Sequence, residues 1–172
     1  MASLKNLKKK LSTYSCQSIT LDKIPTWKEQ TRVDRAIHKA AGKDLDYKCL
    51  MLVATVGALK IGQANLSGGY YLPAKFVIHT AGPHDHDRKR LEECYLNSLA
   101  VALESGARSI AFPCLCTGRF SYPNKDAAHV ALRAVRNFLE ENESSVDRIV
   151  FCIFMPEDVS LYEGLMKFYF PL

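Results

Sequence analysis

The sequence predicts an α/β fold in which a largely parallel sheet carries helices on both faces. From Lys75 onward, short apolar, β-branched runs alternate with longer amphipathic stretches. The runs are apolar throughout, as in strands covered on both sides, and do not show the polar alternation of a half-exposed sheet. The stretches between them are long enough for the crossover connections that parallel strands require.

The elements follow in chain order. Residues 1–30 offer least: a basic amphipathic stretch with Lys5, Lys8, Lys9 and Lys10, then IPTWKE (24–29), whose Trp27 is expected to anchor a lead-in segment. TRVDRAIHKAAGK (31–43) predicts a short helix, because Val33, Ala36, Ile37 and Ala40 share a face and Gly42 ends it. DLDYKCLMLVATVGALK (44–60) predicts a second helix through Leu45, Cys49, Leu52, Val53 and Val56, with a strand left open by its β-branched and aromatic content. QANLSGGYYLP (63–73) reads as a strand and glycine turn leading into a second strand, KFVIHT (75–80). RKRLEECYLNSLAVALESG (88–106) is helical, with Leu91, Cys94, Tyr95, Leu99, Ala102 and Leu103 in register and Gly106 as its stop. SIAFPCL (109–115) is a strand. Asn124 is expected to cap the helix KDAAHVALRAVRNFLEEN, whose inner face is Ala127, Ala131, Val135, Phe138 and Leu139. DRIVFCIF (147–154) is a strand, and EDVSLYEGLMKFYF (157–170) a last helix with acids at its positive end.

The bulk properties agree with one such domain. The chain has 172 residues, 48% of them hydrophobic and 24% charged, which supports a real core in a soluble fold. The net charge of +5 is concentrated in the Lys5–Lys10 run, ordinarily a solvated helix end or tail. Nucleic acid is the less favoured partner, and no apolar run is long enough to span a membrane. The six cysteines contain no C-x-x-C pair and the N-terminus shows no secretory pattern, so an intracellular setting, cytoplasm or nucleus, is expected. Cys114 and Cys116 should face opposite sides of a strand, which argues against a shared metal.

Three motifs carry candidate chemistry. In PCLCTGRFSY (113–122) a buried strand runs into a glycine loop. Its backbone amides and the following helix N-terminus can surround an anion, or the loop can be a plain turn with Phe120 packed down. Asp34 and His38 share one side of a helix and can position a water, or simply complement the helix dipole. His84-Asp85-His86-Asp87 has metal-like spacing but reads better as a solvated loop before a helix, and His79 as a satisfied core histidine. There is no P-loop, no Gly-x-Ser-x-Gly and no Gly-x-Gly-x-x-Gly.

Taken together, VDRAIHKAAG (33–42), GQANLSGGYYLPAKFVIHTAGP (62–83), SIAFPCLCTGRFSYPNKDAA (109–128) and VDRIVFCIF (146–154) resemble the macrodomain family, in its MacroD-type branch. IPTWKE resembles that branch's lead-in. The resemblance implies a three-layer α/β/α fold with a mixed sheet over residues 24–172, after a basic N-terminal segment, 1–23. It implies a monomer that binds ADP-ribose or mono-ADP-ribosylated proteins and hydrolyses the link to an acidic side chain, or deacetylates O-acetyl-ADP-ribose. Asp34 matches the residue that activates the attacking water. Cys116, Thr117, Gly118, Arg119, Phe120 and Ser121 match the loop that holds the diphosphate, with Phe120 beside the distal ribose, and Phe154 matches a position near the adenine. No metal and no cofactor is implied.

The chain also departs from that pattern. In the family a strand ending in Gly-Asp-Ile-Thr, a second strand, an Asn-Ala-Ala-Asn segment and a glycine loop precede the Val-Asp helix. Here only QTR (30–32) separates IPTWKE from Val33. N-terminal strands are therefore expected to be missing, leaving open sheet edges and bare helix faces. Arg35, Cys116, Arg119 and Ser121 stand where the family has other residues. Losing two polar ligand contacts at roughly 1–3 kcal/mol each implies binding weaker by about a factor of 100. The alternative is a non-catalytic ADP-ribose reader or interaction domain.

Overall fold

The computed structural model describes residues 11–15 and 32–171. In chain order they form β1 (Leu11–Ser15), α1 (Arg32–Ala41), α2 (Lys43–Val56), β2 (Ala64–Gly68), β3 (Phe76–Thr80), α3 (Arg88–Glu104), β4 (Ser109–Pro113), α4 (Asn124–Glu141), β5 (Arg148–Ile153) and α5 (Pro156–Tyr169). Trp27 and its lead-in segment lie outside the described residues.

The strands combine parallel and antiparallel pairing. β1, β5 and β4 lie in that order as a parallel sheet, while β2 and β3 form an antiparallel ribbon. Among the described residues no strand joins the ribbon to the sheet, so β3 and β4 each keep one edge without a strand partner. Helices complete a three-layer α/β/α arrangement. α3 packs on β2, β3 and β4, α5 packs on β1 and β5, and α4 lies against both α3 and α5. α2 rests on α1 and β2.

One core joins α3, α4, α5 and the parallel sheet, through Leu91, Tyr95, Leu99, Ala131, Leu139, Ile149 and their neighbours. An aromatic row crosses it from α3 to α5. Ring centroids stand 5.2 Å apart for Tyr95–Phe112, 6.3 Å for Phe112–Phe151 and 5.4 Å for Phe151–Tyr162, within the range for favourable aromatic pairs.

The structure departs from the sequence reading in three places. First, β1 lies in a stretch that offered no strand signal. It pairs with β5 in the register Leu11↔Ile149, so the partner strand supplies the backbone hydrogen bonds that composition does not announce. Second, Asn124 is not a cap. Pro123 holds the N-cap position of α4, and the Asn124 side chain instead donates to Asp158 Oδ1 at 2.6 Å. Third, the strands are not covered throughout as their apolar runs suggest: Ser109 and Ala111 of β4 and Phe76 of β3 are exposed, in line with the open sheet edges expected from the missing N-terminal strands. α2 is bare for the same reason. Leu45 is its one buried residue, while Tyr47, Leu50, Val53 and Val56 are more than half exposed, Leu50 at 70%.

Two outcomes follow from this core. Phe151→Ala should cost about 3–5 kcal/mol in chemical denaturation, whereas Leu50→Ser should change stability by no more than ~0.5 kcal/mol. Asp158 is 4% exposed, and burial raises its pKa above the ordinary 3.8 despite the hydrogen bond from Asn124. Its folded-state pKa therefore lies above its unfolded one, so stability falls as pH rises between the two values and stays lower above them. Asp158→Asn should flatten that step in stability measured against pH.

Candidate functional site

The loop after β4 is built from strained backbone held at both ends. The Leu115 amide donates to Tyr95 Oη at 3.3 Å, which fixes the point where the chain leaves the sheet. Cys116 and Ser121 then take φ values of 65° and 51°, a left-handed conformation that costs a non-glycine residue about 1–3 kcal/mol. Tyr122 N bonds Cys116 O at 3.1 Å and Ser121 N bonds Gly118 O at 3.1 Å, so the loop closes on itself. Among the described residues, the backbone amides of Thr117, Gly118, Arg119 and Phe120 find no acceptor. They stand just before the N-terminus of α4, where unpaired amides and the helix dipole favour an anion. Phe120 is 36% exposed, so it is not packed down as the plain-turn reading requires.

A second segment clamps this loop. His86, also left-handed at φ 58°, places Nε2 3.0 Å from Phe120 O. Its ring stands 5.3 Å from that of Tyr122, and His84 stands 6.3 Å from Phe120. Asp87 caps α3 by accepting from Arg90 N at 3.0 Å, and Asp85 pairs with Arg90 at 3.2 Å. His84–Asp87 is thus a helix-capping loop that also braces the glycine loop, a contact across 34 residues that no local pattern reveals.

Gly82, just past β3, meets the same loop at close range. A Cβ there would lie 2.2 Å from Cys116 Sγ, so the position admits no side chain while the thiol is in place. Burial, then the nearby Cys94, pushes the Cys116 thiol up to about 12. Because β4 ends at Pro113, Cys114 and Cys116 do not alternate on a strand as expected. Phe154 follows β5 at 55% exposure. β4 and β5 are parallel neighbours, so Phe154 and the loop leave the sheet along one carboxyl edge.

Asp34 lies in a separate cluster. It sits in the first turn of α1 with Oδ1 3.7 Å from His38 Nε2, its side chain 77% exposed. His38 Nδ1 is held by Asp46 Oδ1 at 2.5 Å. His79 is half-buried on β3, with Ser67 Oγ 2.7 Å from Nε2. Burial lowers the His79 pKa, as does His38, while Asp34 opposes them. Cys49, which the sequence places on a helix face with Leu45 and Leu52, faces His79 Nε2 at 3.9 Å. Burial raises its thiol pKa, with Asp34 and Asp46 acting in the same direction. The sequence marked these residues one at a time, and the fold of α1, α2 and β3 gathers them. From His79 to Gly82 is three residues, roughly 10 Å of extended chain, so β3 connects the Asp34 cluster to the glycine loop. A concavity of about 480 Å³ between the end of α2, β2 and α3 includes none of these residues.

A protein-family model described as Macro domain matches residues 5–131. The chain belongs to the macro domain family. It is 42% identical to the ADP-ribose glycohydrolase MACROD2 of Xenopus laevis over 81% of its own length and 34% of that protein. To the ADP-ribose glycohydrolase MACROD1 of Bos taurus the figures are 43%, 81% and 44%, so the chain spans less than half the length of these relatives. A macro domain-containing protein of Ralstonia nicotianae, RSc0334, is 37% identical over 95% of this chain and 94% of its own. Among solved structures, the Trypanosoma brucei macrodomain in complex with ADP-ribose superposes with a TM-score of 0.81 at 33% identity, covering 94% of this chain and 71% of that one. The ganglioside induced differentiation associated protein 2 macro domain superposes at 0.84 with 27% identity, covering 99% and 89%. Among the described residues no helix of this macro domain is long and apolar enough to cross a membrane.

The Gly82–Cys116 contact is open to a direct check. Gly82→Ala should lower the melting temperature, and adding Cys116→Gly should recover most of the loss, a coupling read by a double-mutant cycle. Because burial holds the Cys116 thiol far above its ordinary range, mass spectrometry should find Cys116 alkylated by iodoacetamide much more slowly in the folded chain than after unfolding.

Proposed function

We propose that this macro domain binds ADP-ribose along the carboxyl edge of the sheet and hydrolyses its link to an acidic protein side chain. The observation that carries the reading is the self-closed, strained loop at the start of α4, whose amides at 117–120 find no acceptor among the described residues. The relatives named as ADP-ribose glycohydrolases and the neighbour complexed with ADP-ribose supply the ligand class.

In this reading the backbone amides of Thr117, Gly118, Arg119 and Phe120 hold the diphosphate, with Cys116 and Ser121 completing the binding loop on either side and the Arg119 guanidinium adding charge-assisted contact. Phe120 lies beside the distal ribose and Phe154 beside the adenine. Asp34 accepts a proton from water. The water oxygen adds at the ester, the bond between ribose and side chain breaks, and Asp34 returns its proton to the departing oxygen, so that ADP-ribose and a free carboxylic acid are released and Asp34 is regenerated. O-acetyl-ADP-ribose would release acetate by the same chemistry. The protein works as an intracellular monomer, and the shortened N-terminal half reduces affinity and rate relative to a full-length domain.

Calorimetric titration with ADP-ribose on the purified chain should give saturable binding at one site. In single-turnover assays of a mono-ADP-ribosylated protein, Asp34→Ala should slow release by about 10²–10⁴-fold, the scale of a lost general base, while leaving ADP-ribose binding in place. Absence of turnover in the wild type would overturn the hydrolase assignment. The open edges of β3 and β4 and the bare face of α2 favour a second reading, a non-catalytic ADP-ribose reader or interaction domain. Wild-type turnover that vanishes in Asp34→Ala would exclude it.

A further inference from the structure

His38 of α1, Cys49 of α2 and His79 of β3 bring three metal-ligating groups to one point. One ligand atom from each lies within 4.8 Å of the others, and all three residues are half-buried. Zinc in tetrahedral sites takes sulfur at about 2.3 Å and imidazole nitrogen at about 2.0–2.1 Å, which sets the two roughly 3.6 Å apart. Cys49 Sγ and His79 Nε2 stand 3.9 Å apart, so this pair needs only a small contraction to share an ion.

The surroundings suit an ion as well. Asp46 Oδ1 holds His38 Nδ1 at 2.5 Å. A carboxylate on one imidazole nitrogen fixes the tautomer and aims the other nitrogen at a metal. That other nitrogen, Nε2, faces Asp34 Oδ1 at 3.7 Å, so a further oxygen donor stands beside the cluster. His79 Nε2 now contacts Ser67 Oγ. Ser67 has the Gly68 carbonyl at 3.4 Å as a second acceptor, so it keeps a partner when His79 turns to a cation. The site also has a structural use. α1 and α2 bury few apolar residues, chiefly Ala41 and Leu45 at their junction, and a bound ion would fasten both to the β2–β3 ribbon where the apolar core is thin.

We propose that His38, Cys49 and His79 form a zinc-class divalent cation site, with its fourth position open to water. The donor set selects the ion: two imidazoles and a thiolate suit zinc and cobalt, and do not suit magnesium or calcium. The site departs from the metal-free expectation that the family resemblance implies, and it stands independently of the ADP-ribose reading.

Cobalt(II) added to the metal-stripped full chain should produce a near-ultraviolet thiolate-to-cobalt charge-transfer band that saturates at one ion per chain and is displaced by zinc. The band should be absent in Cys49→Ser. Zinc should raise the melting temperature of the wild type and leave that of Cys49→Ser unchanged. Asp46→Asn, which keeps all three ligands, should weaken cobalt affinity by roughly 10–100-fold. Should Cys49→Ser fail to fold, His38→Gln and Asp46→Asn carry the same comparison. A wild type without the band, a band that survives Cys49→Ser, or equal zinc affinity in Asp46→Asn would overturn the proposal.

Discussion

The packing of α3 is the constraint on which the rest of the structure depends. The β2–β3 ribbon and the β1–β5–β4 sheet share no ladder hydrogen bond among the described residues, and α3 packs on both. Its two sides do different work. Toward the ribbon, Asn97 Nδ2 donates to Gly62 O at 2.7 Å and Cys94 Sγ to Ala81 O at 3.4 Å. Toward the sheet, Leu91, Tyr95 and Leu99 enter the apolar core. The ribbon is thus tied to the helix in part by polar contacts, and the parallel sheet by aromatic and aliphatic burial. Tyr95 serves twice, since its ring meets Phe112 inside the core while its hydroxyl receives the Leu115 amide at the root of the loop.

That double use of Tyr95 explains how a strained loop persists. Two left-handed non-glycine residues in one loop would relax if the ends were free. Here one end is fixed by Tyr95 and the middle by His86, itself left-handed. The far end enters α4, whose Asn124 is bonded to Asp158 of α5. Strain in the loop is therefore balanced by contacts from α3, α4 and α5, the best-packed elements of the molecule. Gly82 completes the arrangement from β3, because a bare backbone there leaves room for the Cys116 sulfur.

Much of this was legible in the sequence. The helices from Arg88 onward announce themselves because their inner faces repeat at helical spacing, and β4 and β5 because they are apolar runs between turn signals. The glycine loop was legible as a loop, and its position at a strand end as a candidate site. What stayed hidden has a common cause, which is contact between residues distant in sequence. β1 exists through pairing with β5. Asn124 looks like a cap and becomes a partner of Asp158, because Pro123 with φ −56° already occupies the cap position. His86 reads as part of a polar loop until the fold brings it to the Phe120 carbonyl. Cys49 sits in an apolar helix, and nothing local reveals that β3 carries His79 to its sulfur.

The two halves of the candidate site rest on unequal foundations. The loop at 116–121 is braced by the single large core, through side chains that are fully buried or nearly so, such as Tyr95, Phe112 and Tyr122. Asp34 is carried by α1, whose contacts with the other described residues include buried Ala41, the His38–Asp46 bond and the Tyr71 amide on the Ala41 carbonyl at 3.3 Å. Its companion α2 turns most of its apolar side chains to solvent. Local stability follows buried apolar contact, so the loop at 116–121 should stay ordered under conditions that loosen the Asp34 helix. Under the proposed function, ligand binding and hydrolysis are then physically separable: the loop assigned to the diphosphate rests on the C-terminal core, whereas Asp34, assigned to water activation, rests on a thinly packed helix pair. In that proposal the shortened N-terminal half bears first on the chemistry and only second on the grip.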